Sequence, residues 1–77
     1  MAKKSLPATV KFLMGTGYII IDTLLGIYLL SPCGEKHFQL SIEQLNNISD
    51  SMPLLASYAE GVVFYHLDKA ALSAQLS

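Results

Sequence analysis

The sequence predicts an all-α membrane protein with one transmembrane helix, and three observations support that fold class. The first is composition, because 52% of the residues are hydrophobic and only 14% are charged, whereas soluble domains carry about 25% charged residues. The second is an apolar run from Phe12 to Leu30 that contains a single ionisable group. The third is the length of 77 residues, which leaves little room for a large core. Such a chain is expected to bury its apolar surface in lipid or against other subunits.

The first elements are a polar lead over residues 1–11 and a transmembrane helix over residues 12–31. A helix from Phe12 to Leu30 is about 28 Å long, close to the hydrocarbon thickness of about 30 Å, and Pro32 then ends it. The β-branched run Ile19–Ile21 also suits a buried strand. A lone strand leaves its backbone polar groups unsatisfied in lipid, so the helix is favoured.

Residues 32–52 are expected to form a polar connector that contains a short amphipathic helix. Ser41 and Gln44 have the spacing of a capping box, in which each side chain bonds the backbone N–H of the other residue. Apolar side chains then recur with helical spacing after Ser41. This pattern predicts a helix over about residues 42–50.

Residues 53–77 are predicted to form a longer C-terminal amphipathic helix, from about Pro53 to Gln75. Polar residues fall within one arc of that helix at 100° per residue. Its unbroken apolar part, Met52 to Leu67, is short for a membrane span and contains Glu60. An interfacial or protein-packed helix is therefore favoured, with a second membrane span left open as the alternative.

The lysines at the N-terminus predict the orientation of the span. Lys3, Lys4 and Lys11 precede it, whereas Glu35 and Lys36 cancel just after it. The positive-inside rule then places the N-terminus on the cytoplasmic or matrix side of an integral membrane protein. The C-terminal part lies on the opposite side in that prediction.

Asp22 is the most informative residue for function. A carboxylate in the middle of a span costs about 2.5–3.5 kcal/mol on insertion scales and marks a site facing protein or water. Gly15, Asp22 and Gly26 fall within about 40° of one another on a helix. They are therefore predicted to form a helix-packing strip for a neighbouring subunit. An ion pair with a partner's basic residue and proton transfer through Asp22 are the alternatives.

The remaining polar residues do not form a recognisable active site. Glu60 is a candidate for a second membrane carboxylate, but a place on the wet face of its helix is favoured. His37, His66 and Cys33 lack the spacing of metal ligands. The formal net charge of −1, with no basic patch, argues against nucleic acid as a partner. No catalytic residue, cofactor site or metal site is predicted, and the chain is predicted not to be an enzyme.

These observations favour a non-catalytic accessory or structural subunit of a larger membrane protein complex, in an energy-transducing or secretion assembly. Its expected partners are other membrane subunits and the lipid bilayer. The competing hypothesis is a proton or ion pathway, or a pore-forming small protein, that uses Asp22 and possibly Glu60.

Overall fold

The computed structural model describes residues 6–76 and shows a five-stranded antiparallel sheet accompanied by three short helices. In chain order the elements are helix α1 (Leu6–Gly15), strands β1 (Ile19–Thr23), β2 (Gly26–Leu30) and β3 (His37–Leu40), helix α2 (Ile42–Ser51), strands β4 (Leu54–Ala59) and β5 (Val62–Leu67), and helix α3 (Lys69–Leu76). The strand order across the sheet is β3-β2-β1-β5-β4. The fold class predicted from the sequence, an all-α membrane protein, is therefore wrong.

The predicted transmembrane helix divides into the end of α1 and the β1–β2 hairpin. Thr23 closes the turn of that hairpin, because its hydroxyl accepts a hydrogen bond from the Leu25 N–H and donates one to the Gly26 carbonyl, each at 3.0 Å. The sequence analysis disfavours a strand over Ile19–Ile21 because a lone strand lacks partners. Its partners are β2, which lies inside the same apolar run, and β5, which lies about forty residues further along the chain.

Between residues 6 and 76, every helix falls short of the length and apolar character that crossing a bilayer requires. The predicted membrane localisation and single-pass topology are accordingly contradicted. The predicted orientation falls with them, and Lys3 and Lys4, on which it depended, lie outside the described residues.

The prediction of a long helix from Pro53 to Gln75 is also wrong, because this segment forms β4, β5 and the short helix α3. The β4–β5 turn consists of Glu60 and Gly61, with φ angles of 52° and 81°. Two positive φ values in a two-residue loop are typical of a type I′ turn, whose twist matches that of the flanking strands. The turn pairs Ala59 with Val62.

The short amphipathic helix predicted within the connector is present as α2, Ile42–Ser51. Its capping box is present: the Gln44 N–H donates to the Ser41 hydroxyl at 3.1 Å, and the Ser41 N–H donates to the Gln44 side-chain oxygen at 2.8 Å. Both bonds satisfy donors that a helix N-terminus otherwise leaves free. The cap therefore fixes where the chain leaves the sheet and enters α2.

The hydrophobic core lies on one side of the sheet, between the strands and helices α1 and α2. We call the strand residues on that side the covered face; they are Ile20, Asp22, Ile27, Leu29, Phe38, Leu40, Leu54, Ala56, Tyr58, Val63, Tyr65 and Leu67. The helices contribute Val10 and Met14 from α1 and Leu45 and Ile48 from α2, joined by Met52. Ile20 and Ile48 are completely buried in this cluster.

Candidate interaction surface

The opposite side of the sheet is the candidate functional surface. We call its residues the open face; they are Ile19, Ile21, Thr23, Gly26, Tyr28, Leu30, His37, Gln39, Leu55, Ser57, Ala59, Val62, Phe64 and His66. Successive residues of a strand point to opposite sides of a sheet, and partners in the register share a side. One complete row across the five strands runs Ser57, Phe64, Ile21, Tyr28, Gln39.

The open face is not covered by any part of the chain between residues 6 and 76. Four strand residues of the covered face are buried, namely Ile20, Ile27, Leu29 and Leu40. By contrast, every residue of the open face is half-buried or exposed. The central side chains Ile21, Tyr28 and Phe64 are half-buried because they pack against one another within the sheet.

The open face is apolar and carries no Asp, Glu, Lys or Arg. Its polar groups lie mainly on the outer strands, and His37 makes an edge-on ring contact with Tyr28 at a centroid distance of 6.0 Å. Strands of about 3.3 Å rise per residue, spaced about 4.8 Å apart, give this face a footprint of about 400 Å². The largest apolar patch on a typical monomer covers about 300–600 Å² and is often functional.

The β1–β2 hairpin adds two exposed leucines at one end of the sheet. Leu24 and Leu25 form its tip, and Leu25 keeps 87% of its surface exposed while Leu24 is fully exposed. Turns are ordinarily polar because their backbone faces water. Two leucines at this position therefore extend the apolar surface beyond the strands.

The three residues predicted to form a helix-packing strip lie in three different elements. Gly15 ends α1, Asp22 belongs to β1 and Gly26 begins β2. Asp22 is half-buried on the covered face, opposite Ile27 and Val63, and Gly26 adopts a φ of 143° beside the hairpin turn. The three residues therefore do not share a helix face, which is the arrangement that the predicted strip requires.

The two carboxylates of the predicted ion pathway lie at the same end of the sheet. Asp22 is next to the last residue of β1, and Glu60 is exposed in the β4–β5 turn. No hydrogen bond or ion pair joins either carboxylate to another of the described side chains. The ion-pathway hypothesis requires membrane-spanning helices, and the fold contradicts the prediction of such helices.

The histidines and the cysteine do not gather into a metal site. Within residues 6–76, no three His, Cys, Asp or Glu side chains are placed to hold a metal ion. Cys33 is exposed in the β2–β3 loop, with its sulfur 3.5 Å from the Ser31 hydroxyl. That hydrogen bond, helped by a backbone bond involving Glu35 and by the charge of Lys36, lowers the pKa of the Cys33 thiol.

A small groove opens between helix α1, helix α2 and strands β2 and β3. It encloses about 290 Å³ and is lined by apolar side chains such as Val10, Leu13 and Phe38, together with Gln39 and Gln44. Ligand sites are usually about 300–1,000 Å³ with a few convergent polar groups. Among the described residues the groove has no charged side chain in its lining, and its volume lies just below this range.

Comparison with protein-family models, with characterised proteins and with solved structures finds no match for this chain. The open face was missed by the sequence analysis, although one signal for it was present. Ile19–Ile21 and the run Gly26–Leu30 each match the pattern of a strand that is apolar on both sides.

Proposed function

We propose that this chain is a non-catalytic accessory subunit of a larger protein assembly and that its open face binds a layer of amphipathic helices from another subunit. The observation that carries the proposal is the open face itself, which is largely apolar, has no Asp, Glu, Lys or Arg, and is not covered by residues 6–76. This role requires no chemistry from any side chain of the protein.

The covered face indicates the chemistry of the partner. There, two helices place aliphatic and thioether side chains, Met14 and Ile48 among them, against Ile20 and Leu29. The open face presents residues of the same kind in the alternate positions, including Ile21 and Leu30. An apolar helical layer is thus the complement that this sheet already accepts on one side.

The absence of charge on the open face supports an apolar rather than an electrostatic partner. Interfaces are depleted of charged residues at their centre and enriched in aromatic ones, and Tyr28 and Phe64 lie in the central row of this face. A standard interface buries about 800 Å² on each partner. The open face, with a footprint of about 400 Å², supplies about half of that area, and the exposed Leu24 and Leu25 side chains extend it.

Site-specific photocrosslinking in cells that produce the chain tests the proposal. A photoreactive residue at Gln39, exposed on the open face, should give one discrete crosslinked product with a different polypeptide. The same residue at Asn46, exposed on α2, should not. Ile21→Lys, which puts a charge at the centre of the face, should remove the Gln39 product.

Three results would contradict the proposal. These are equal crosslinking from Gln39 and Asn46, no product from Gln39, or a product whose mass is that of two copies of this chain. The comparison of Gln39 with Asn46 requires no destabilising substitution, so it stands even where Ile21→Lys disturbs the fold.

A further inference from the structure

Strand β4 is an edge strand without the usual features that keep sheet edges from pairing. It lies at one end of the strand order and has the sequence LLASYA, with no charge and no proline inside it. Sheet edges are commonly protected by lysine, proline, a bulge or a covering segment. Residues 55–59 are all exposed and pair one to one with β5, so β4 has neither a bulge nor a covering segment from residues 6–76.

The hydrogen-bond pattern of the β4–β5 hairpin fixes which backbone groups of β4 are free to pair. The Asp68 N–H donates to the Pro53 carbonyl at 2.9 Å, so the odd-numbered residues of β4 bond to β5. Pairs in an antiparallel ladder alternate between bonded and non-bonded. The N–H and C=O groups of Leu54, Ala56 and Tyr58 therefore point away from the sheet.

We infer that β4 pairs antiparallel with β4 of a second copy, with Ala56 directly opposite the partner's Ala56. This register sets Leu54 opposite the partner's Tyr58 and Tyr58 opposite the partner's Leu54. All three outward-pointing residues then form bonded pairs, which gives about six hydrogen bonds across the junction.

The side chains of β4 suit this register. Ala56 has the smallest side chain of the three outward-bonding residues, and it occupies the two-fold axis where a residue meets its own copy about 5.5 Å away between Cα atoms. Tyr58, which is 74% exposed in the single chain, gains an aliphatic neighbour from the partner, a favourable kind of cross-strand pair. No like charges meet, because the strand has none.

The pairing is closed, since a two-fold junction uses the same edge of both copies. It joins the two sheets into one ten-stranded sheet and places the two open faces side by side. The dimer therefore doubles the surface proposed to bind a helical partner without using any residue at the centre of that surface.

A charge-pair experiment at the two-fold axis tests the inference. Sedimentation equilibrium of the full chain should show a dimer, and Ala56→Lys and Ala56→Glu should each weaken it by up to about fivefold, because like charges directly opposite each other repel. An equimolar mixture of the two variants should restore dimers, because opposite charges then meet on the axis. Ala74→Lys, the matched control on an exposed alanine of α3, should leave the dimer unchanged.

Amide hydrogen exchange gives a second measurement that needs no variant. In the dimer the amides of Leu54, Ala56 and Tyr58 should exchange slowly, and dilution should speed them while Leu55 and Ser57, bonded to β5, stay protected. A monomeric chain, a dimer unaffected by Ala56→Lys, or failure of the mixture to restore dimers would overturn the inference. Ile21→Lys should leave this dimer intact, which separates its failure from that of the proposed function.

Discussion

The two faces of this sheet have similar amino acids but different surroundings. The consecutive residues Ile20 and Ile21 of β1 are equally apolar and point to opposite faces. Ile20 is completely buried under helices, whereas Ile21 is only half-buried. Strands that are buried on both sides are apolar at nearly every position, whereas strands with one wet side alternate. Ile19–Ile21 of β1 and Ile27–Leu30 of β2 follow the first pattern, although residues 6–76 cover only one side of these strands. The difference supports the proposal that another polypeptide completes the second side.

The largest expected effect separates the two faces directly. Ile20→Ala should lower the free energy of unfolding by about 2–5 kcal/mol, because it leaves a cavity in a closed core. Ile21→Ala should cost about 1 kcal/mol in the isolated chain, since only part of its surface is removed from water. Urea unfolding of both variants at one protein concentration measures the difference. Equal losses would mean that the open face is already packed in the single chain.

The next largest effect on the free energy of unfolding is expected in helix α2, which covers one face of the sheet. Ser41→Ala removes the N-cap of α2 and should lower the free energy of unfolding by about 1 kcal/mol. Ser49→Ala, an exposed serine within the same helix, is the matched control and should be neutral or slightly stabilising, because alanine has the higher helix propensity. Thermal unfolding of both variants provides the comparison. A loss for Ser49→Ala as large as that for Ser41→Ala would contradict the role of the cap.

The capping box shows which part of the fold could be predicted from the sequence. A cap depends on residues three positions apart, Ser41 and Gln44, and both hydrogen bonds are present. The strands depend on partners far apart in sequence: β1 lies between β2 and β5, and Ile21 pairs with Phe64. A periodicity analysis within one window does not contain that information.

The apolar run from Phe12 to Leu30 was assigned to a helix for a physical reason. A run of this length fits a bilayer. Its β-branched part alone does not indicate whether the backbone forms hydrogen bonds with a neighbouring strand or within a helix. The deciding signal was local, namely the Thr23–Gly26 turn, whose threonine hydroxyl makes two hydrogen bonds. The candidate site was missed for a different reason, because the open face exists only once β1 and β2 are adjacent to β5, which is distant in sequence.

A smaller effect is expected in the β4–β5 turn, which supports both faces at the edge of the sheet. Glu60 is the one non-glycine residue with positive φ within residues 6–76, a conformation that disfavours most side chains and suits asparagine. Glu60→Asn should raise the free energy of unfolding by about 0.5–1 kcal/mol. Glu35→Asn makes the same change of charge in a loop without that φ and should not stabilise. Stabilisation by both variants would show that charge, rather than backbone conformation, is responsible.

The smallest expected effect concerns the Cys33 thiol, which lies outside both faces. It tests whether the pKa of this thiol is independent of the open face. The Ser31 hydroxyl is the main cause of the lowered pKa of Cys33, and Lys36 is the weakest. A lowered pKa means that the reactive thiolate forms at lower pH than for an ordinary cysteine. Ser31→Ala should therefore shift the pH profile of alkylation by iodoacetamide to higher pH, and Lys36→Gln should shift it less in the same direction. Ile21→Lys should leave the profile unchanged, because Cys33 lies in the β2–β3 loop rather than on the open face. A shift with Ile21→Lys would mean that the environment of Cys33 depends on the open face, and the β2–β3 loop would then not be independent of that face.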